Sequence, residues 1–173
     1  MWRKPNTASD LKVLKPTVKH GGGGVMVWGC MGYKGTGNLT FIDGIMDKYK
    51  YINILRENLR VSAEKLDVEN SYWFQQDNDP KHTALIVRQW ILYNCPHTLK
   101  TPPQSPDLNP IENLWAEVDI RLRKYEIGSK HVLKAKITEI WDSISSETTR
   151  KLVCSMTNRL RAVIAAKGGP TKY

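Results

Sequence analysis

Two acidic residues, Asp77 and Glu112, occupy positions from which carboxylates could hold a metal ion. Asp77 follows the apolar run at residues 72–74, so it would lie at the tip of a short buried strand. Glu112 falls in the first turn of a helix that Asn109-Pro110 is expected to begin, beside the apolar stripe of that helix. Because Mg²⁺ prefers oxygen ligands, the two carboxylates are candidates for a divalent-metal site.

Each acid also has an ordinary structural explanation. Asp77 could be a turn residue whose carboxylate caps neighbouring backbone amides. Glu112 could close a capping box by reaching back to the backbone of Asn109. Neither residue alone establishes a function, so the interpretation depends on the sequence around them.

The elements that would position these acids alternate between strand and helix patterns. Residues 25–31 and 38–43 predict a β-hairpin that turns at residues 34–37. After Asp47 the apolar period becomes that of a helix, and the strand at 72–74 follows. The apolar face of this helix consists of Ile52, Leu55, Leu59, Ala63 and Leu66.

The second half of the chain is predicted to be mainly helical. A helix is expected to start near Pro80 with Asp79 as its N-cap, and residues 97–100 predict a short strand. A proline-rich loop at 101–110 then precedes the helix that carries Glu112. This order of elements predicts a mixed α/β layer fold. Two further helices are predicted at residues 130–144 and 147–165. The tryptophans expected in the core rather than on a base-stacking surface are Trp28, Trp73, Trp90, Trp115 and Trp141.

The net charge of +9 is distributed unevenly along the 173 residues. Residues 1–24 carry five Lys/Arg and one acid, residues 25–120 carry nine and twelve, and residues 121–173 carry twelve and four. A mildly acidic middle thus lies between two basic flanks, which is typical of polyanion binding because cations opposite phosphates release counterions. Solubility charge on solvated helices is the alternative explanation.

Other features of the sequence argue against several classes of protein. No apolar stretch approaches the roughly 20 residues of a membrane span. The N-terminus lacks the apolar segment of a secretory signal, which predicts an intracellular protein. Cys30, Cys95 and Cys154 are odd in number and widely spaced, so they predict neither a disulfide framework nor a zinc site.

Two motifs together resemble the signature of the Tc/mariner superfamily of transposases, in particular its Tc-like branch. The first motif is Gln76-Asp77-Asn78-Asp79-Pro80-Lys81-His82-Thr83. The second is Ser105-Pro106-Asp107-Leu108-Asn109-Pro110-Ile111-Glu112-Asn113-Leu114-Trp115. The 34 residues between Asp77 and Glu112 match the spacing of that branch. Shorter matches, at residues 20–23, 27–29, 35–37 and 42–46, extend the resemblance over essentially the whole chain.

The resemblance implies a ribonuclease-H-like α/β fold, a mixed sheet flanked by helices. Residues 25–165 would form it, between a glycine-hinged, clamp-like basic arm (1–24) and a tail (166–173). The family has an Asp–Asp–Glu triad that binds two Mg²⁺ or Mn²⁺ ions, in which Asp77 matches the second Asp and Glu112 the Glu. Such a transposase cuts and joins double-stranded DNA in the nucleus as a homodimer. Residues expected to contact DNA are Lys19, His20, Lys81, His82, Arg121, Arg123 and Lys124. For His82, a role in positioning the site is the alternative.

The sequence departs from the family pattern at its start. The family's first triad Asp lies on the opening strand of the fold, upstream of the segment that matches residues 1–24, and its helix-turn-helix modules lie further upstream. Asp10 and Asp43 are not convincing replacements. We therefore expect the central strand of the sheet to be missing, two sheet edges to be unpaired, and the chain by itself not to cleave DNA.

Two other functions remain open. A non-catalytic DNA-binding or dimerising remnant would rely on the basic flanks alone. A ribonuclease-H-like nuclease acting on RNA would share the fold, since a fold does not determine the substrate, although the motifs favour a transposase. Metal binding that depends on both Asp77 and Glu112 would separate the enzyme from the remnant.

Overall fold

The structure is a computed structural model that describes residues 24–103, 105–169 and 171, together with the backbone pairing of Val13–Leu14. Its strands are β1 (Val13–Leu14), β2 (Val25–Gly32), β3 (Gly35–Ile42), β4 (Trp73–Gln75) and β5 (His97–Leu99). Its helices are α1 (Lys48–Lys65), α2 (Leu85–Asn94), α3 (Ile111–Leu122), α4 (Lys130–Asp142) and α5 (Ser146–Ala165). A 3₁₀ turn at Pro106–Leu108 precedes α3. The predicted mixed α/β architecture is confirmed.

The antiparallel pair β2 and β3 is the predicted hairpin, with its turn one position earlier than expected. Cα partners run from Met26↔Ile42 to Gly32↔Gly35, with an irregularity between Gly29 and Met31. The chain reverses at residues 33–34 because Gly35, at φ +153°, adopts a conformation that side chains disfavour. The tight turn therefore lies at residues 33–34, and Gly35 and Gly37, which were predicted to be in the turn, belong to β3.

Both faces of the hairpin are covered, which produces three layers. Because successive strand residues point to opposite faces, Trp28 packs with α1 and α2, while Val25 and Val27 pack with α3 and α4. Helix α1 begins at the side chain of Asp47, which accepts a hydrogen bond from Lys50 N at 2.8 Å. Its predicted apolar face is buried, so the sequence pattern located this helix correctly.

The five strands form two separate sheets, β1-β2-β3 and β4-β5, and the second pair is parallel. The pairing of β1 with β2 ends at Met26. Beyond Met26, this edge of β2 has no strand neighbour among the described residues, and neither has the edge of β4 that faces away from β5. The described strands thus leave one edge of β2 beyond Met26 and one edge of β4 without a strand neighbour.

Several local predictions were wrong. The sequence suggested no strand in the basic arm, but Val13–Leu14 pairs with β2; the rest of residues 1–23 lies outside the described residues. Asn109 does not cap α3 with its side chain, since Pro110 holds the N-cap position and the Asn109 carbonyl accepts from Glu112 N at 3.2 Å. Trp73 is 64% exposed rather than in the core, because β4 leaves one of its faces uncovered. No helix in the described part of the chain is long and apolar enough to cross a membrane.

Candidate functional site

Asp77 lies two residues beyond the end of β4, and its two carboxylate oxygens have different environments. Oδ1 accepts a hydrogen bond from the backbone N–H of Asp79 at 3.2 Å and lies 2.5 Å from Nδ1 of His82. Oδ2 is buried and has no hydrogen-bond partner. Asp77 thus does cap a neighbouring amide, as the ordinary explanation requires, but one oxygen remains available for another ligand. An unsatisfied buried carboxylate oxygen is costly unless a cation or donor occupies the space beside it.

His82 contacts Oδ1 of Asp77 and is itself held by Tyr51 and Gln76. Its ring stacks on Tyr51 with centroids 3.9 Å apart and an interplanar angle of 28°. The Tyr51 hydroxyl donates to Gln76 Oε1 at 2.8 Å, and Gln76 Nε2 donates to the His82 carbonyl at 2.9 Å. Burial raises the pKa of Tyr51, which keeps the phenol protonated as a donor. The group formed by Tyr51, Gln76, Asp77 and His82 is called the Asp77 network below.

The Asp77 network explains two differences from the sequence-based expectations. Helix α2 starts at Leu85 rather than near Pro80, because residues 79–83 form a turn that brings His82 back to Asp77. His82 is only 4% exposed. Of the two roles left open for it, the structure favours positioning over contact with a DNA phosphate.

Glu112 reaches the same region from the first turn of α3 and is half-buried. Asp77 and Glu112 together line two cavities, of about 420 Å³ and about 320 Å³. The Gln75 side chain connects β4, which precedes Asp77, with the turn that precedes α3 and Glu112. Its Nε2 donates to the carbonyl of Leu108 at 2.7 Å. The two candidate residues therefore border the same cavities, although 34 residues separate them in the chain.

The larger cavity lies between the two sheets. Its lining includes seven consecutive residues, 27–33, from β2 and its turn, and five consecutive residues, 73–77, from β4 onward. The face of a strand would contribute alternate residues, so consecutive lining shows that the strand edges face the cavity. Asp77 and Glu112 are thus beside a slot between two unpaired strand edges.

The smaller cavity contains a third acid, Asp79, whose oxygens are already bonded. Asp79 Oδ1 accepts from Lys81 N at 2.7 Å, and Oδ2 lies 3.1 Å from Lys81 Nζ. Across the described ranges, no group of three His, Cys, Asp or Glu side chains is arranged to hold a metal ion. Oxygen ligands from Asp77 and Glu112 nevertheless suit Mg²⁺ or Mn²⁺, and the partnerless Oδ2 fits such an ion.

The residues predicted to contact DNA separate into two regions. Lys81 lies beside the site through its pairing with Asp79. Arg121, Arg123 and Lys124 lie at the other end of α3, roughly 14–18 Å from Glu112 at a rise of about 1.5 Å per residue. Lys19 and His20 lie outside the described residues. Two of the arginines are paired on the helix, Arg121 with Glu117 at 2.8 Å and Arg123 with Asp119 at 2.6 Å.

Sequence reasoning missed the residues that support the two acids. Tyr51 was not singled out, because its position on α1 is typical of an ordinary core residue. Gln75 and Gln76 were noted only as neighbours of Asp77. Two adjacent amides before an acid at a strand end were the signal that could have indicated a polar network.

The three-layer α/β arrangement, with Asp77 after β4 and Glu112 at the start of α3, has the ribonuclease-H-like fold, and solved structures agree. The fold matches the Mos1 transposase catalytic domain, solved with Raltegravir and Mn, at a TM-score of 0.78 and 19% identity over 86% of this chain and 78% of that one. It also matches the mariner Mos1 paired-end complex with Mg at a TM-score of 0.81 and 19% identity, over 99% of this chain and 51% of that one.

Sequence comparison identifies the family. Residues 9–134 match the family model for the DDE superfamily endonucleases, and the chain belongs to that family. It is 46% identical over 158 residues to the Tc1 transposase of Caenorhabditis elegans and to the Tcb1 transposase of Caenorhabditis briggsae. These matches cover 91% of this chain and 58% of each relative, so the chain spans just over half the length of those transposases. The resemblance to the Tc-like branch is therefore confirmed.

Proposed function

We propose that this chain is the catalytic core of a cut-and-paste DNA transposase in which Asp77 and Glu112 bind Mg²⁺ or Mn²⁺. The observation that carries the proposal is the buried Oδ2 of Asp77, which has no hydrogen-bond partner and belongs to a residue that lines two cavities together with Glu112. The similarity to transposases named Tc1 and Tcb1 supports the reaction class. Solved structures of the Mos1 fold that contain Mg or Mn support the choice of metal.

In this proposal some residues bind the metal ions and others hold the metal-binding carboxylates in place. His82 and the backbone N–H of Asp79 hold Oδ1 of Asp77, and Oδ2, which has no hydrogen-bond partner, is the proposed ligand. Glu112 supplies the second carboxylate from the rigid first turn of α3. A pair of divalent ions there would activate the attacking oxygen and stabilise the leaving oxygen of a phosphodiester. Because the two carboxylates repel each other, bound cations should also tighten the site.

Double-stranded DNA is the proposed substrate, bound by the basic flanks and by Lys81 near the site. Mos1 has been solved as a paired-end complex with its left transposon end, which supports this choice. Action on genomic DNA as a homodimer in the nucleus is part of the same proposal. Affinity for a short duplex should fall steeply between about 50 and 200 mM salt because bound cations release counterions; a flat response would contradict polyanion binding.

We further infer that the chain by itself does not cleave DNA. The described acids that line the two cavities are Asp77, Asp79 and Glu112, and both carboxylate oxygens of Asp79 are bonded to Lys81. The slot between β2 and β4 is where the family resemblance would put a strand bearing a third carboxylate. Mn²⁺-dependent nicking of a supercoiled plasmid that disappears in Asp77→Ala would overturn this inference.

Titration calorimetry with Mn²⁺ tests the site itself. Uptake should be weak but measurable in the unmodified chain and lost in both Asp77→Asn and Glu112→Gln. Glu117→Gln is the matched control, since Glu117 lies on the same helix and is paired with Arg121. No uptake by the unmodified chain, or uptake that both site variants retain, would favour the non-catalytic DNA-binding remnant.

A further inference from the structure

The 3₁₀ turn Pro106–Leu108 is held from two sides by residues distant in sequence. From one side, Gln75 Nε2 donates to the carbonyl of Leu108 at 2.7 Å. From the other side, Nη1 of Arg159 on α5 donates to the carbonyl of Asp107 at 3.0 Å. Two successive backbone carbonyls are therefore bound to different elements. The turn connects β4, which leads to Asp77, with the C-terminal helix.

Arg159 is buried to a degree that is unusual for an arginine. It is 3% exposed, and its Nε donates to Ser155 Oγ one helical turn earlier at 2.8 Å. Burying a guanidinium is costly unless its N–H groups are hydrogen-bonded, and bonds from a charged donor are stronger than those between neutral groups. Thr171, beyond α5, adds a second contact because its Oγ1 donates to Asp107 Oδ2 at 2.9 Å.

Short hydrogen-bonded steps connect this turn to Glu112. The Asn109 N–H donates to the carbonyl of Pro106 at 3.1 Å, and the Glu112 N–H donates to the carbonyl of Asn109 at 3.2 Å. Pro110 supplies no capping side chain at the N-terminus of α3. The start of α3 therefore depends on the preceding turn for its orientation.

We propose that Arg159 is a positioning residue for the site: by holding the carbonyl of Asp107, it fixes the start of α3 and thus Glu112 relative to Asp77. The inference rests on the proposed function, in which Glu112 is a metal ligand. In this role Arg159 acts through the turn, by its bond to the carbonyl of Asp107. Helix α5, which carries neither site acid, thereby becomes part of the support of the site.

Three variants of the full chain test this role. Arg159→Met removes the donors and keeps the length, Arg159→Lys keeps the charge with one donor group, and Arg161→Met is the control on the exposed face of α5. In Arg159→Met, amide hydrogen exchange across residues 105–113 should rise on the order of tenfold, as expected for loss of a charge-assisted bond. Mn²⁺ affinity should fall about 10- to 100-fold. Arg159→Lys should recover part of both, and Arg161→Met should match the unmodified chain.

Two results would overturn the inference. One is unchanged exchange at residues 105–113 in Arg159→Met; the other is a rise spread evenly over the hairpin and helices, which indicates a general loss of stability. If Arg159→Met does not fold, the same two criteria apply to Arg159→Lys. Absence of Mn²⁺ uptake in the unmodified chain would count against the proposed function instead, and hydrogen exchange would still decide whether Arg159 holds the turn.

Discussion

Strands β2 and β4 form opposite walls of the larger cavity, yet they are stabilised in different ways. β2 pairs with β3 along most of its eight residues and is covered by apolar cores on both faces. β4 has three residues, pairs along one edge with β5, and exposes Trp73. Side-chain hydrogen bonds from Gln75 and Gln76 fix the end of β4 instead. Apolar packing thus stabilises the β2 wall of the cavity, while side-chain hydrogen bonds orient the end of β4, which leads to Asp77.

A carboxylate that follows a weakly paired strand can still be held in one orientation by side-chain hydrogen bonds. Hydrogen bonds are directional and define the orientation of Asp77, whereas apolar burial contributes mainly free energy. Substitutions around β2 should therefore cost stability. Substitutions in the Asp77 network should cost less stability and affect the site more.

Trp141→Ala should produce the largest loss on the β2 side. Trp141 is fully buried, stacks on Trp115 with centroids 4.8 Å apart, and donates from Nε1 to the carbonyl of Gly37 at 2.9 Å. Truncating a buried tryptophan costs about 3–5 kcal/mol of unfolding free energy. Urea denaturation measures it. Trp73→Ala on β4 is the matched control and should change the free energy of unfolding by less than about 0.5 kcal/mol. Equal losses in the two variants would contradict the difference between the β2 side and the β4 side.

Gly37→Ala should come next, because β3 packs closely against the rest of the core at this position. A Cβ there would lie 2.5 Å from Cys30 Sγ and 2.7 Å from Ser62 Cβ. Overpacking of this kind costs about 1–3 kcal/mol, measured as a shift of the urea midpoint. At Gly128 a Cβ meets nothing within 4 Å, so Gly128→Ala should leave the midpoint nearly unchanged. An unchanged urea midpoint in Gly37→Ala would mean that Cys30 and Ser62 can move aside without loss of stability.

Tyr51→Phe probes the Asp77 network and should cost about 1 kcal/mol at neutral pH, the value of one lost hydrogen bond. Phenylalanine keeps a ring to stack on His82 but cannot donate to Gln76. The cost should change with pH. Burial raises the pKa of Tyr51, so above about pH 10 the unfolded chain loses this proton while the folded chain keeps it.

The folded unmodified protein therefore loses stability as pH rises through that range, and Tyr51→Phe lacks this contribution. The stability difference between the two proteins should narrow between about pH 9 and 11, measured by urea denaturation at each pH. Tyr72, whose pKa is also raised by burial, keeps a residual slope in both proteins. Parallel pH profiles would show that the buried phenol is not linked to folding.

Asp43→Asn should have the smallest effect. The Asp43 carboxylate lies 3.1 Å from Lys134 Nζ, and this bond lowers its pKa. A lowered pKa stabilises the fold above about pH 4 and ceases to do so as the acid is protonated. A slight drop in Tm is expected at pH 7, weaker in high salt because the pair is exposed, and none near pH 2. Mn²⁺ uptake should be unchanged. Loss of Mn²⁺ uptake in Asp43→Asn would indicate that Asp43 is a metal ligand after all.

Local periodicity was enough to predict most of the elements. The face of α1 from Ile52 to Leu66 is buried as its spacing indicated. Helices α4 and α5 begin within about one residue of their predicted starts. An amphipathic helix is encoded by neighbours along the chain, so its signal survives without knowledge of its packing partner.

Predictions that depended on distant contacts were less accurate. Helix α2 starts at Leu85, later than predicted, because the preceding turn places His82 against Asp77. Trp73 was expected in the core, but it is 64% exposed among the described residues. The assignments of Asp77 and Glu112 as metal ligands stay predictions until metal binding is measured. Arg159 had no signal at all, since a basic residue on a basic helix looks solvent-exposed in sequence.

The sequence by itself determined the order of elements, the basic flanks and the two acids within a family motif, because these depend on residue type and on neighbours in the chain. Only the tertiary structure decided which carboxylate oxygen is left without a partner, which strand edges face each other, and which arginine holds the turn before α3. The oxygen of Asp77 depends on a turn that returns His82 to it, and the other two features arise where residues far apart in the chain meet, as Arg159 and Asp107 do, which depends on how the layers pack.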